Sequence, residues 1–171
     1  MNLRRLLLFL VCAAAFFVFT SSAEAKSLYH ATSKAIAGKI MKKGFSLSKM
    51  NPQARYGKGI YLSETKKLAL KEKPHADSIV KIQDTKLLRE RSLNINKLSR
   101  EHIKKFSKDT DMRGNIKNGN PGGDLARKMG TEAGRKGKVI VYPSVRGEGM
   151  NTFVPRRMYE EHSGIVRIVK P

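Results

Sequence analysis

The chain has 171 residues, with 35 Lys and Arg against 14 Asp and Glu, and a net charge of +21. An excess of that size draws polyanions: nucleic acid, anionic lipid or lipopolysaccharide, acidic protein surfaces. One cysteine, Cys12, and no Trp exclude a disulfide framework, a cysteine metal cluster and a Trp-lined stacking groove.

At the N terminus Arg4 and Arg5 precede an unbroken apolar run, Leu6 to Phe19, and the small, polar stretch Thr20 to Ala25 closes on Ala23-Glu24-Ala25. This order predicts a cleavable secretory signal over residues 1–25. A membrane anchor is the alternative, but 14 apolar residues fall short of the roughly 20 that span a bilayer. The expectation is a secreted or periplasmic protein, one domain over residues 26–171, with no membrane span after cleavage. Cys12 leaves with the signal, so packing alone must hold the exported domain together. The lysines are spread along it, which favours a diffuse basic surface over a basic tail. Solubility alone is the plainer account of the same charge.

In chain order, Leu28 to Ala31 reads as a short strand. Ser33 to Lys43 reads as a helix with Ser33 as its cap, Ala35, Ile36, Ile40 and Met41 toward the core, and Gly44 just past its end. Phe45 to Tyr56 is expected to be a loop, Gly59 to Ser63 a strand, and Glu64 to Lys73 a helix stopped by Pro74. Ser78 to Gln83 and Ser92 to Ile95 read as strands. Ser99, with Glu101 close behind, opens another helix, and Asp109 to Gly123 is a long loop. Asp124 to Arg135 is a helix with Asp124 as its cap. Lys138 to Tyr142, Asn151 to Val154 and Gly164 to Val169 complete the strands. Helices and strands mix without regular alternation, so the expected class is α+β.

The most informative stretch runs Leu28-Tyr29-His30-Ala31-Thr32-Ser33, a helix, Gly44-Phe45, then Arg55-Tyr56-Gly57-Lys58-Gly59-Ile60-Tyr61-Leu62-Ser63. A His ends one strand. A loop with two glycines leads into a second, and Gly57 and Gly59 allow a ligand close to the backbone. Taken singly, His30 reads as a satisfied histidine and Tyr61 as core. Taken together they suggest one cleft, with His30 bonding a sugar hydroxyl and Tyr61 stacking on a flat ring.

That stretch, Leu28 to Glu72, resembles the ADP-ribosyltransferase superfamily in its His-Tyr branch. The branch includes the catalytic core of the poly(ADP-ribose) polymerases and transferase domains of bacterial polymorphic toxins. The resemblance implies an NAD cleft between two short sheets. His30 would hold the nicotinamide ribose, the Ala31 backbone the carboxamide and Tyr61 the ring, with Thr32 and Gly59 lining the same site. A second segment, Val141-Tyr142-Pro143-Ser144-Val145-Arg146 followed by Asn151-Thr152-Phe153-Val154-Pro155, is similar to the closing signature of the RES domain, which acts on NAD. It implies that Ser144 lines the NAD site with Glu72 as acidic partner. The His-Tyr branch often carries a Glu on a late strand, to steady a cationic sugar in the transition state. Here that strand offers Asn151 or Thr152, so Glu148 and Glu72 stand as rival catalytic acids.

The resemblance implies a secreted NAD-dependent ADP-ribosyltransferase or NAD glycohydrolase, a toxin or effector, with NAD as substrate and protein or nucleic acid as acceptor. The alternatives are a cationic nucleic-acid-binding protein or ribonuclease, in which His30 and a glutamate do acid–base work, and a binding module that has lost the acid. His75, His102 and His162 lack metal-ligand spacing, so no metal is expected. Asn118 to Gly123 reads as a surface loop before a phosphate cradle. Arg156-Arg157 and Glu160-Glu161 read as a solvated face.

Overall fold

The computed structural model describes residues 26–98, 116–117, 120–121, 123–162 and 164–170. The expected signal, the helix from Ser99, His102 and most of the loop 109–123 lie outside them. The described chain is an α+β fold: a mixed seven-stranded sheet, a two-stranded ladder and five helices. The elements are β1 (Ser27–Thr32), α1 (Lys34–Lys43), β2 (Gly59–Ser63), α2 (Lys66–Glu72), β3 (Ser78–Gln83), α3 (Lys86–Glu90) and β4 (Ser92–Asn94). There follow β5 (Ile116–Lys117), β6 (Asn120–Pro121), α4 (Gly123–Arg135), β7 (Val139–Pro143), β8 (Met150–Pro155), α5 (Arg156–Glu161) and β9 (Arg167–Ile168).

Three helix starts are set by side-chain caps. Ser33 accepts from the Ile36 amide, Thr65 from Leu68 and Thr85 from Leu88. Gly44 ends α1 at φ 79°, its amide donating to the Ile40 carbonyl, the left-handed stop that glycine allows. The face α1 buries is shifted from the one expected. Ala37 and Ile40 are buried and Met41 packs beside them, while Ile36 is 46% exposed. Residues 37, 40 and 41 are the i, i+3, i+4 set that the sheet covers. Asp124 lies inside the first turn of α4 rather than capping it. The short α3 has no counterpart in the sequence reading, and of Gly164 to Val169 only Arg167–Ile168 is strand.

The main sheet runs β4-β7-β8-β2-β1-β3-β9, with β4 and β7 parallel and every other pair antiparallel. One face packs Leu28, Ile60, Leu62, Val80, Ile82 and Val154 under Ala37 and Ile40 of α1, Leu88 of α3 and Met158 of α5. The other packs Ile140, Tyr142 and Phe153 under Leu125, Ala126, Met129 and Ala133 of α4, with Tyr56 between.

The expected two short sheets are joined into one, by a narrow seam. β1 pairs with β3 along its whole length, Ser27↔Gln83 to Thr32↔Ser78. β2 pairs with β8 likewise, Gly59↔Pro155 to Ser63↔Asn151. Between β1 and β2 the register holds at Tyr29↔Ser63 alone.

Candidate functional site

The reason for the seam lies in one side chain. In an antiparallel ladder successive residues point their amide and carbonyl to opposite edges. Asp84 donates its amide to the Lys26 carbonyl at 2.8 Å, which sets the phase of β1: residues 28, 30 and 32 bond toward β3, and 29 and 31 face β2. On β2, Arg156 donates to the Lys58 carbonyl and Glu64 to the Met150 carbonyl, so 58, 60, 62 and 64 bond toward β8 and 59, 61 and 63 face β1. From the bridge Tyr29↔Ser63, the next pair would be Ala31 with Tyr61. It does not form. The His30 imidazole takes the Tyr61 carbonyl instead, Nδ1 to O 2.9 Å. Ala31 therefore turns its amide and carbonyl toward the seam with no register partner on β2.

A carbonyl only accepts, so Nδ1 of His30 carries the proton. Burial lowers the His30 pKa below its ordinary 6.5, against the pull of the Tyr61 carbonyl and with help from the Lys73 ammonium. The ring is then neutral at pH 7 and Nε2 keeps its lone pair as an acceptor. Phe45 meets the ring edge-on at 5.1 Å.

Tyr61 is placed by its own loop. Its hydroxyl accepts from the Tyr56 amide at 2.8 Å and donates to the Gly57 carbonyl at 3.0 Å. Its ring tilts against Phe153, centroids 4.9 Å apart. Strand alternation sends the two rings to opposite faces, His30 with Leu28 and Tyr61 with Phe153. They meet through the Tyr61 carbonyl, not ring to ring as the shared-cleft expectation had it. Gly59 is needed for close approach, though not to a ligand: a Cβ there would overlap the Phe153 ring and the Val154 carbonyl. Thr32 and Ala31 are buried.

At the bridge itself lies a polar cluster assembled from four elements. The Glu72 carboxylate, at the end of α2, accepts on Oε1 from the Ser144 hydroxyl at 2.5 Å and from Asn151 Nδ2 at 2.8 Å. Asn151 Oδ1 accepts from the Ser63 hydroxyl at 2.7 Å, and Ser63 is the residue bridged to Tyr29. The Arg146 amide donates to Ser144 Oγ at 3.0 Å; its guanidinium donates to the Glu72 backbone carbonyl at 3.1 Å and lies 4.0 Å from Oε2. Glu72 and Ser144 are thus in direct contact. Glu148 is exposed in the loop after β7 and bonds to no described residue. The acid absent from β8 comes to Asn151 from across the sheet, on α2.

Sequence reasoning missed Arg146 as a partner of Glu72, and Ser63 and Asn151 as its supports. It also missed Tyr56, fully buried and stacked on Phe153 and tilted on Tyr142 at 4.7 Å, with the Arg55 guanidinium 5.8 Å from the Tyr142 ring centre. Burial pushes the phenols of Tyr56, Tyr61 and Tyr142 upward, so all three stay un-ionised at neutral pH. Among the described residues no group of three His, Cys, Asp or Glu is placed to hold a metal, and no helix is long and apolar enough to cross a membrane. No known family model and no curated protein matches the chain.

Proposed function

We propose that the chain binds NAD at the seam between β1 and β2 and breaks the bond between nicotinamide and ribose, passing ADP-ribose to water or to an acceptor. The supporting observation is the seam beyond Tyr29↔Ser63, where Ala31, its amide and carbonyl facing β2, has no register partner on that strand. A donor beside an acceptor on one residue matches a carboxamide, whose oxygen accepts and whose NH₂ donates. The Tyr61 ring lies on the same face as the Glu72 cluster and supplies an aromatic wall for the pyridine ring. His30, whose ring lies on the opposite face, serves the site through the Tyr61 carbonyl that it holds. Glu72, held by Ser144 and Asn151, places negative charge against the cationic sugar as the bond to nicotinamide breaks. Glu72 is favoured over Glu148 because three groups fix it in place. The reading also takes the chain to be exported and to begin at Lys26. The charge of +21 fits the rival nucleic-acid binder, yet the large exposed hydrophobics of the described residues are Ile36, Leu70 and Val145, none an aromatic stacking platform.

The test is release of nicotinamide from NAD by the purified protein. Glu72→Gln keeps the shape and one acceptor oxygen, so NAD still binds and turnover falls about 100-fold or more. Glu148→Gln turns over like the parent. Nicotinamide inhibits and nicotinic acid, which lacks the NH₂ donor, does not. No release from folded parent protein discards the reading.

A further inference from the structure

Away from the seam, at the far end of β3, the structure holds a carboxylate short of a partner. Asp84 is 8% exposed, and its Oδ1 is buried without a hydrogen bond. Its Oδ2 lies 3.5 Å from Arg89 Nη1, but that guanidinium nitrogen makes its close bond, 2.6 Å, to the Asp84 backbone carbonyl. A buried carboxylate oxygen with no donor is costly, so a native fold normally supplies one. The neighbour in place is Lys26. The register Ser27↔Gln83 sets Lys26 across from Asp84, and the Asp84 amide holds the Lys26 carbonyl at 2.8 Å. Lys26 is also the residue that follows Ala23-Glu24-Ala25.

We propose that Asp84 is the binding site for the chain's own amino terminus, created when the leader is removed. A signal-cleaving peptidase hydrolyses the Ala25–Lys26 bond with one water. Ala25 leaves with a carboxylate, and Lys26 gains an α-amino group that takes up a proton at neutral pH. In the precursor that nitrogen is an uncharged amide with one hydrogen. After cleavage it is an ammonium with three donors, two bonds from the carbonyl carbon that Asp84 already anchors. It closes on Oδ1 and completes a buried ion pair that the precursor cannot make. The Lys26 side chain is the less suited partner: it is exposed and would give up hydration and rotamer freedom to reach the same oxygen. Cleavage therefore does more than free the domain; it finishes it.

The experiment starts from the full chain, exported and processed in a secreting bacterial host, with the new terminus read by intact mass. A second form carries one extra Met before Lys26, which moves the ammonium one residue away. Asp84→Asn is made in both. The Lys26-terminated protein melts about 3–6 °C above the Met-extended one, and Asp84→Asn abolishes the gap. Independently of that variant, an amine-reactive ester at pH 7 labels the Lys26 α-amino group of the folded protein at least about tenfold more slowly than that of a peptide beginning at Lys26, because the paired ammonium is held protonated. The proposal fails if the exported chain begins elsewhere, if the two forms melt together, if the gap survives Asp84→Asn, or if the α-amino group labels at the peptide rate. None of these outcomes bears on NAD cleavage, which is measured apart.

Discussion

His30 bonds the Tyr61 carbonyl by Nδ1 and keeps Ala31 from closing the strand pair, so one imidazole sets both the local fold and the chemistry open to it. Its protonation state is then a stability matter. Burial lowers the folded pKa below the 6.5 of the unfolded chain. The unfolded state binds the proton more readily, so the stabilising contribution is complete above pH 6.5 and is lost as pH falls through the folded value. His30→Asn keeps an N–H donor for the Tyr61 carbonyl and cannot titrate. Thermal melts of parent and variant should therefore converge on moving from pH 8 to pH 5, the parent losing more. A constant offset would show that the ring does not titrate with folding. Arg146 illustrates the limit of reading residues in isolation. Its sequence neighbours suggested a signature, yet its contacts with Glu72, a residue 74 positions earlier, appear only when β7 turns back onto α2.

Among the elements, those with local signals were legible in the sequence. Ser33 and Gly44 bracket α1 as their chemistry dictates, and Gly59 to Ser63 is the strand that its Ile-Tyr-Leu run predicts. Arg156 and Arg157 pair with Glu160 and Glu161 at i, i+4, the solvated face of α5. What was not legible depends on partners far off in the chain. The buried face of α1 is chosen by the sheet beneath it, and α3 exists because Thr85 caps it and Leu88 has a core to enter. Of the site, a family resemblance named Ser144 and Glu72 together but not the hydrogen bond between them, and the displaced Ala31–Tyr61 pair follows only from the register. Two helical glycines separate local propensity from packing. Gly38 of α1 has no neighbour within 4 Å of a new Cβ, so Gly38→Ala should stabilise by about 0.5–1 kcal/mol. Gly130 of α4 rests on the Tyr56 carbonyl, which a Cβ would overlap. Gly130→Ala should cost about 1–3 kcal/mol because backbone must move. Urea melts of both would show opposite shifts.

At the scale of the molecule the charge dominates. Of the described lysines on α1 and α2, no ammonium forms an ion pair with a described carboxylate, and both helices offer exposed cations to solvent. Association with an anionic polymer, chosen as acceptor or merely attracted, should weaken steeply with salt. Each phosphate contact contributes a slope of about 0.7–0.9 in a plot of log affinity against log salt concentration. A flat plot with single-stranded or duplex oligonucleotides would mark the charge as incidental to binding.

The lone register pair between β1 and β2 has a further consequence, for how the protein comes apart. Along every other seam of the sheet that flanks these two strands, consecutive amides share their bonds and must be released together. At Tyr29↔Ser63 there is little to share. Two cooperative blocks are expected, β1-β3-β9 with α1 and α3, and β7-β8-β2 with α4, each guarding its own amides against solvent deuterium on its own schedule. Native-state hydrogen exchange in mild denaturant should resolve two isotherms, with the amides of Val80 and Ile82 in one and those of Leu62 and Phe153 in the other. A single isotherm would mean that the apolar core shared across the seam, Leu28, Val80 and Ile82 with Ile60, Leu62 and Val154, couples the halves where the backbone does not.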